Sequence, residues 1–168
     1  MDKIELDVTM TGRDMYRFNL YHIYHGSQGM ISIVLAVLLA AVAILRWGDE
    51  TLMVNVLYLL AGVVILLYVP LTLWLKVKKQ MKTSAVYREP VHYTFDEQGI
   101  TTRFQDQSVT LPWLQLYKIV STRHMVLLYG GRIRANVIPR DQLGDQYEAL
   151  YTLAKSQVDS YRFKMKRG

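Results

Sequence analysis

Two long uncharged stretches dominate the pattern: no Asp, Glu, Lys or Arg stands between Gly26 and Leu45, nor between Thr51 and Leu75. An α-helix rises ~1.5 Å per residue, so ~20 such residues cover a hydrocarbon core of ~30 Å. Each stretch is long enough to span, and Arg46-Trp47-Gly48-Asp49-Glu50 is a compact turn between them. The expectation is a transmembrane hairpin over residues 26–75. Residues 1–25 precede it as a strand and an interfacial helix. Ile4, Leu6 and Val8 alternate with Lys3, Glu5 and Asp7, the period of a half-buried strand. Thr11 or Gly12 can then cap a helix over Arg13–His25, with Asp14 in its first turn and Tyr16, Phe18, Tyr21 and Tyr24 where a bilayer interface would lie.

Behind the hairpin the pattern changes twice. Residues 76–89 read as a basic juxtamembrane linker, and from residue 90 short strands follow one another. Val91–Phe95 and Ile100–Phe104 flank the turn Asp96–Gly99, and Ser108–Trp113 follows a second turn at 105–107. Leu116–Thr122 and Met125–Tyr129 are two further runs, and Gly130-Gly131 leads as a tight hairpin into Arg132–Ile138, which Pro139 closes. A helix starts between Asp141 and Asp145. Leu143, Tyr147, Leu150, Tyr151, Ala154 and Val158 form its single apolar face. Residues 161–168 read as a frayed, solvated basic tail. A lone strand at 2–8 satisfies neither its backbone nor its apolar face. It is therefore expected to add to the sheet edge of 91–138, with Ile4, Leu6 and Val8 inward; an extended, disordered N-terminus is the competing reading.

Charge sets the orientation. Lys76, Lys78, Lys79, Lys82 and Arg88 follow the second apolar stretch and Arg13 and Arg17 precede the first, whereas Arg46 in the loop is opposed by Asp49 and Glu50. Lys and Arg are retained on the cytoplasmic side. The expectation is a multi-pass protein of the cell membrane with both termini cytoplasmic and the loop outside. Within the hairpin, Ser32, Ala36 and Ala40 form a small-residue stripe that Gly62 can meet, because close backbone approach drives packing in lipid. A homo-oligomer through the same stripe is the alternative. Pro70 is expected to kink the second helix. With no Asp, Glu, Lys, Arg or His in either interior, the hairpin reads as an anchor, not a transport pathway.

Composition removes several chemistries. The chain has no cysteine, so disulfides, thiolate metal sites and cysteine nucleophiles are excluded. The net charge of +6 is not gathered into a recognition motif, and no nucleic acid is expected as a partner. No phosphate-cradling glycine loop, HExxH or GxSxG occurs. His22 and His25 stand at i, i+3 but lack a third ligand, and His92 and His124 are isolated, so no metal is assigned. Asp96 and Glu97 are turn formers, and Trp113 reads as a core residue where the sheet bends. No catalytic residue, no cofactor and no enzymatic activity is expected. One constellation merits weight: Arg103, Lys118, Arg123, Arg132 and Arg134 lie on or beside the strands. Together with Lys76, Lys78, Lys79 and Lys82 they are candidates for contact with anionic lipid, set against the plainer reading of scattered solvated charges.

Tyr93-Thr-Phe-Asp-Glu-Gln-Gly99-Ile100, Leu111-Pro-Trp113 leading to Tyr117-Lys-Ile119, Val126–Tyr129 and Val137-Ile-Pro139-Arg-Asp-Gln-Leu143 stand in an order that resembles the YcxB-like family of small bacterial membrane proteins. The resemblance implies a pleckstrin-homology-like cytoplasmic domain over 90–160, a bent antiparallel sheet plugged by the final helix, and it supplies no catalytic residue. The expected class is thus an α+β membrane protein with a two-helix hairpin inserted in such a domain. Two functions are open. The chain is a membrane-anchored interaction module that binds a membrane or cytoplasmic protein or anionic lipid, or an accessory subunit of a transporter or envelope enzyme with the hairpin as the contact.

Overall fold

Strand β1 (Ile4–Val8) alternates buried and exposed along its whole length, and it pairs antiparallel with β2 (Val91–Phe95) from the far side of the apolar helices. The structure, a computed structural model, describes residues 3–83, 89–132 and 134–167. It divides into two units, Met1–Asp14 with Ser84–Gly168, and Met15–Thr83. The first unit is therefore discontinuous in sequence. Ile4 faces Phe95, Leu6 faces Tyr93 and Val8 faces Val91, so the apolar positions of β1 point inward and Glu5 and Asp7 outward. Over Ile4–Val8 the disordered alternative does not hold, and Asp2 lies outside the described residues.

Two sheets build this unit. The first has the order β1-β2-β3-β4, with β3 at Gly99–Phe104 and β4 at Gln107–Pro112, all antiparallel. The second has β7 (Ala135–Pro139), β6 (Met125–Tyr129) and β5 (Lys118–Ser121) in antiparallel order, extended by a two-residue parallel β8 (Phe163–Lys164). The unit is α+β. Between the sheets the chain makes a 3-10 turn, Trp113–Gln115. Trp113 is buried there and its Nε1 donates to the Asp96 carbonyl at 2.8 Å, tying that corner to the β2–β3 turn. That turn is itself closed by Asp96, whose Oδ1 accepts from the amides of Gln98 and Gly99.

One core serves both sheets and the C-terminal helix. A single turn, α4 (Arg140–Leu143), precedes α5 (Gln146–Gln157), and Leu143, Tyr147, Leu150, Ala154 and Val158 are buried against Ile4, Phe95, Ile119 and Ile138. Leu153, outside the face expected from the sequence, is buried as well.

The C-terminal segment corrects the expectation of a frayed tail. Beyond α5 the chain returns as β8, with Met165 buried and Phe163 packed on the core. Arg162 Nη1 donates to the carbonyls of Leu114 and Leu116, both at 2.9 Å, and its other terminal nitrogen pairs with Asp159. The Lys166 amide donates to Ser121 Oγ at 2.7 Å. The alternation of Phe163 and Met165 supplies the buried face, and the guanidinium satisfies carbonyls that strand pairing leaves open.

Helix α1 (Gly12–Tyr24) starts in the first unit and ends in the second. Thr11 and Asp14 cap it reciprocally: the Asp14 amide donates to Thr11 Oγ1, and the Thr11 amide donates to Asp14 Oδ2. In the second unit, α2 (Ser27–Leu45) and α3 (Leu52–Thr83) are joined by a short turn in which Arg46 pairs with Glu50 at 2.9 Å. Gly29 is buried where α2 begins; a Cβ there would stand 2.8 Å from the Ile23 carbonyl and 2.9 Å from the Tyr24 Cα. Helix α3 includes Pro70 and continues past Leu75 to Thr83, so residues 76–83 of the expected linker are helical. Residues 84–88 of that linker lie outside the described residues.

Candidate functional site

The basic candidates fall into three places. Lys76, Lys78, Lys79 and Lys82 are exposed on the last two turns of α3, and Lys78 Nζ lies 4.9 Å from the Trp74 ring centroid. Lys118, Arg132 and Arg134 gather at one end of the second sheet. Lys118 is opposite Tyr129 in the β5–β6 register, with its Nζ 4.4 Å over that ring, and Arg132 and Arg134 belong to the turn that follows Tyr129. Arg103 is exposed on β3, across from His92 and Ser108, apart from the other three. Arg123 is exposed in the β5–β6 turn. Lys118, Arg132 and Arg134 thus share one end of the second sheet by register, and Arg103 and Arg123 stand on other elements.

In the second unit the small residues meet. An ideal Cβ on Gly62 would lie 3.4 Å from the Ala36 carbonyl oxygen, so α2 and α3 touch through backbone there. Ala36 and Gly62 are buried, and Ser32 and Ala40 are half-buried along the same helix. Ile33, Ala36, Ala40, Leu59, Gly62 and Leu66 line an apolar groove of about 450 Å³ beside this contact. Asn55 is buried nearer the start of α3, and its Oδ1 has no hydrogen-bond partner among the described residues.

A second cavity, of about 380 Å³, lies between α1 and the C-terminal half of α3. Ile23, Val69 and Leu73 supply apolar walls, and Asn19, Lys76 and Gln80 supply polar ones. Only Lys76 of these was singled out by the sequence, as a topological charge and as a candidate for contact with anionic lipid. The helical spacing of Val69, Leu73 and Val77, which are buried with Met15, Tyr16 and Ile23 packed on them, is the signal that points to this seam.

The histidines are engaged locally. His25 Nδ1 lies 2.9 Å from the Tyr21 carbonyl and its ring stacks on Tyr21, His22 stacks on Phe18, and His92 Nδ1 lies 2.7 Å from Asp7 Oδ1. Among the described residues no three His, Cys, Asp or Glu side chains gather as a metal site. Tyr93, buried at the β1–β2–β3 junction, has its hydroxyl pushed up to about 12 by that burial.

Residues 95–154, from the end of β2 to the last turns of α5, match a family described as YcxB-like protein. This segment is similar to the YcxB-like family. The match takes in the Asp96–Gly99 turn, Trp113 at the corner between the sheets and the apolar face of α5. β1 and β8, which complete the two sheets around the YcxB-like segment, lie outside the matched residues. No curated protein matches the chain. Among the described residues, α3 is long and apolar enough by itself to cross a membrane; Gly12–Tyr24 and Gly29–Leu45 qualify only as a pair bent by 68°.

Proposed function

We propose that the chain is a membrane-anchored interaction module, in which α2 and α3 form a transmembrane hairpin and the YcxB-like unit is held at the cytoplasmic face. The pairing of β1 with β2 carries this reading: the strands before and after the helices belong to one sheet, so both ends of the helix pair return to the same folded unit. Side chains on α2 and α3 support it. Ile31, Leu45, Met53 and Leu71 are among many large apolar residues exposed there, and water does not tolerate so continuous an apolar surface. Helix α2, with 19 residues, is about 28 Å long, which matches the hydrocarbon thickness of ~30 Å. Helix α3, with 32 residues, is about 48 Å long and carries its four lysines beyond the apolar part. Four antiparallel strands, three more and a C-terminal helix are also the parts of a pleckstrin-homology-like domain, a likeness of architecture only.

The module's ligand is a protein or anionic lipid at the inner leaflet, met by the Lys118–Arg132–Arg134 end of the second sheet. The accessory-subunit reading places the contact on the helices instead, where the groove beside Ala36 and Gly62 offers a seat for another helix. Crosslinking in native membranes followed by detergent pull-down separates the two. A partner that persists when α2 and α3 are replaced by an unrelated hairpin, and is lost when the basic end is neutralised, fits the module. A partner that survives deletion of residues 90–168 but not replacement of the helices contradicts it.

A further inference from the structure

We propose that the cavity between α1 and the C-terminal half of α3 binds the headgroup phosphate of an anionic phospholipid. The inference rests on the reading of α3 as a membrane span. Its walls change character along one face of α3. Val69, Leu73 and Val77 are apolar and buried, and Lys76 and Gln80, which follow Val69 and Leu73 at the same helical spacing, add polar side chains towards the C-terminal end of α3. α1 repeats the gradient with Ile23 and Asn19, four residues apart. A phospholipid has the same sequence of chemistry, acyl chain, glycerol and phosphate, over the same few ångströms. A free phosphate ion would use the cation and leave the apolar walls uncovered.

Charge and size agree with that occupant. Lys76 is the first charged residue after the apolar stretch of α3, no acid lines the cavity, and Lys76 makes no ion pair among the described residues. An ammonium in this position acts as a point charge on a phosphate, and Asn19 already donates from Nδ2 to the Met15 carbonyl at 2.8 Å, which fixes its amide plane in the wall. The volume of about 380 Å³ lies in the range of small-molecule sites and suits a headgroup with the first carbons of its chains.

Native mass spectrometry of the full chain released from detergent micelles tests the site, with phosphatidylglycerol, phosphatidylcholine and inorganic phosphate as probes. The wild type is expected to retain one phosphatidylglycerol in preference to phosphatidylcholine and to keep it in the presence of inorganic phosphate. Lys76→Gln should weaken retention about fivefold. Thr72→Phe should abolish it by filling the cavity, which Thr72 lines. Lys155→Gln, an exposed cation of α5, should leave it unchanged. Equal retention in the wild type and Lys76→Gln, no preference for the anionic lipid, or displacement by inorganic phosphate overturns the proposal. Alkaline extraction of the same membranes separates the failures: a chain that stays in the membrane without bound lipid loses only the site, and a chain that is extracted loses the membrane reading and the site with it.

Discussion

Gly99 shows how one residue holds the YcxB-like segment in shape. Its φ is +157°, and a Cβ there would stand 2.4 Å from the Leu111 carbonyl oxygen, so β3 and β4 approach more closely than any side chain allows. Gly99→Ala should cost on the order of 1–3 kcal/mol, read as a lowered thermal midpoint of the full chain in detergent. Tyr93 gives a pH signature. Its folded hydroxyl is pushed up to about 12 by burial, and the free value is near ~10. The neutral form is favoured in the fold, so the contribution is fully present below pH ~10 and is lost as pH rises towards 12, where the unfolded chain ionises first. Stability should therefore fall more steeply with pH in the wild type than in Tyr93→Phe over that window. Identical slopes would mean that the hydroxyl meets solvent. Some single residues were legible in the sequence: Asp96 as a turn former and Trp113 at the bend follow from local chemistry. Arg162 was not, because its value lies in the carbonyls of Leu114 and Leu116, more than forty positions away.

Strand β1 is the element on which the discontinuous unit depends. Leu6 is 8% exposed and faces Tyr93, whereas Glu5 is exposed and hydrogen-bonded to Lys3, which holds its carboxyl below the usual range. Leu6→Asp should destabilise the first unit by ~1.5–3 kcal/mol for the lost burial, plus the cost of a buried charge. Glu5→Lys should change the thermal midpoint little. Comparable midpoints for both variants would show that β1 adds nothing to the sheet. The period-2 pattern made β1 readable because one face meets the core and the other meets water. The same logic failed at the C-terminus. Arg162, Lys164, Lys166 and Arg167 masked the alternation of Phe163 and Met165, and a two-residue strand is too short to announce itself. It also failed at α3, where charges ended the apolar pattern at Leu75 but not the helix, since Lys, Gln and Met are good helix formers. The α1–α3 cavity escaped for a third reason: its walls come from residues some fifty positions apart, and the helical spacing of Val69, Leu73 and Val77 marks a buried face without naming what packs on it.

At the scale of the whole molecule, one folded unit is interrupted in sequence by an apolar helix pair, with its first strand before the interruption and its remaining strands after it. On the proposed topology the chain enters and leaves the helix pair on the same side of the bilayer, because the strands before and after it share one sheet. The turn between the helices then faces outward, and the lysines of α3 face the cytoplasm. Because the chain has no cysteine, a single introduced thiol reports its side of the membrane without interference. Asp49 is the better probe of the turn, exposed and free of the +117° φ that disfavours a side chain at Gly48. Labelling of intact cells with a membrane-impermeant maleimide is the most direct measurement. Asp49→Cys should be labelled from outside, and Thr83→Cys only after the membrane is opened; external labelling of Thr83→Cys would overturn the proposed topology.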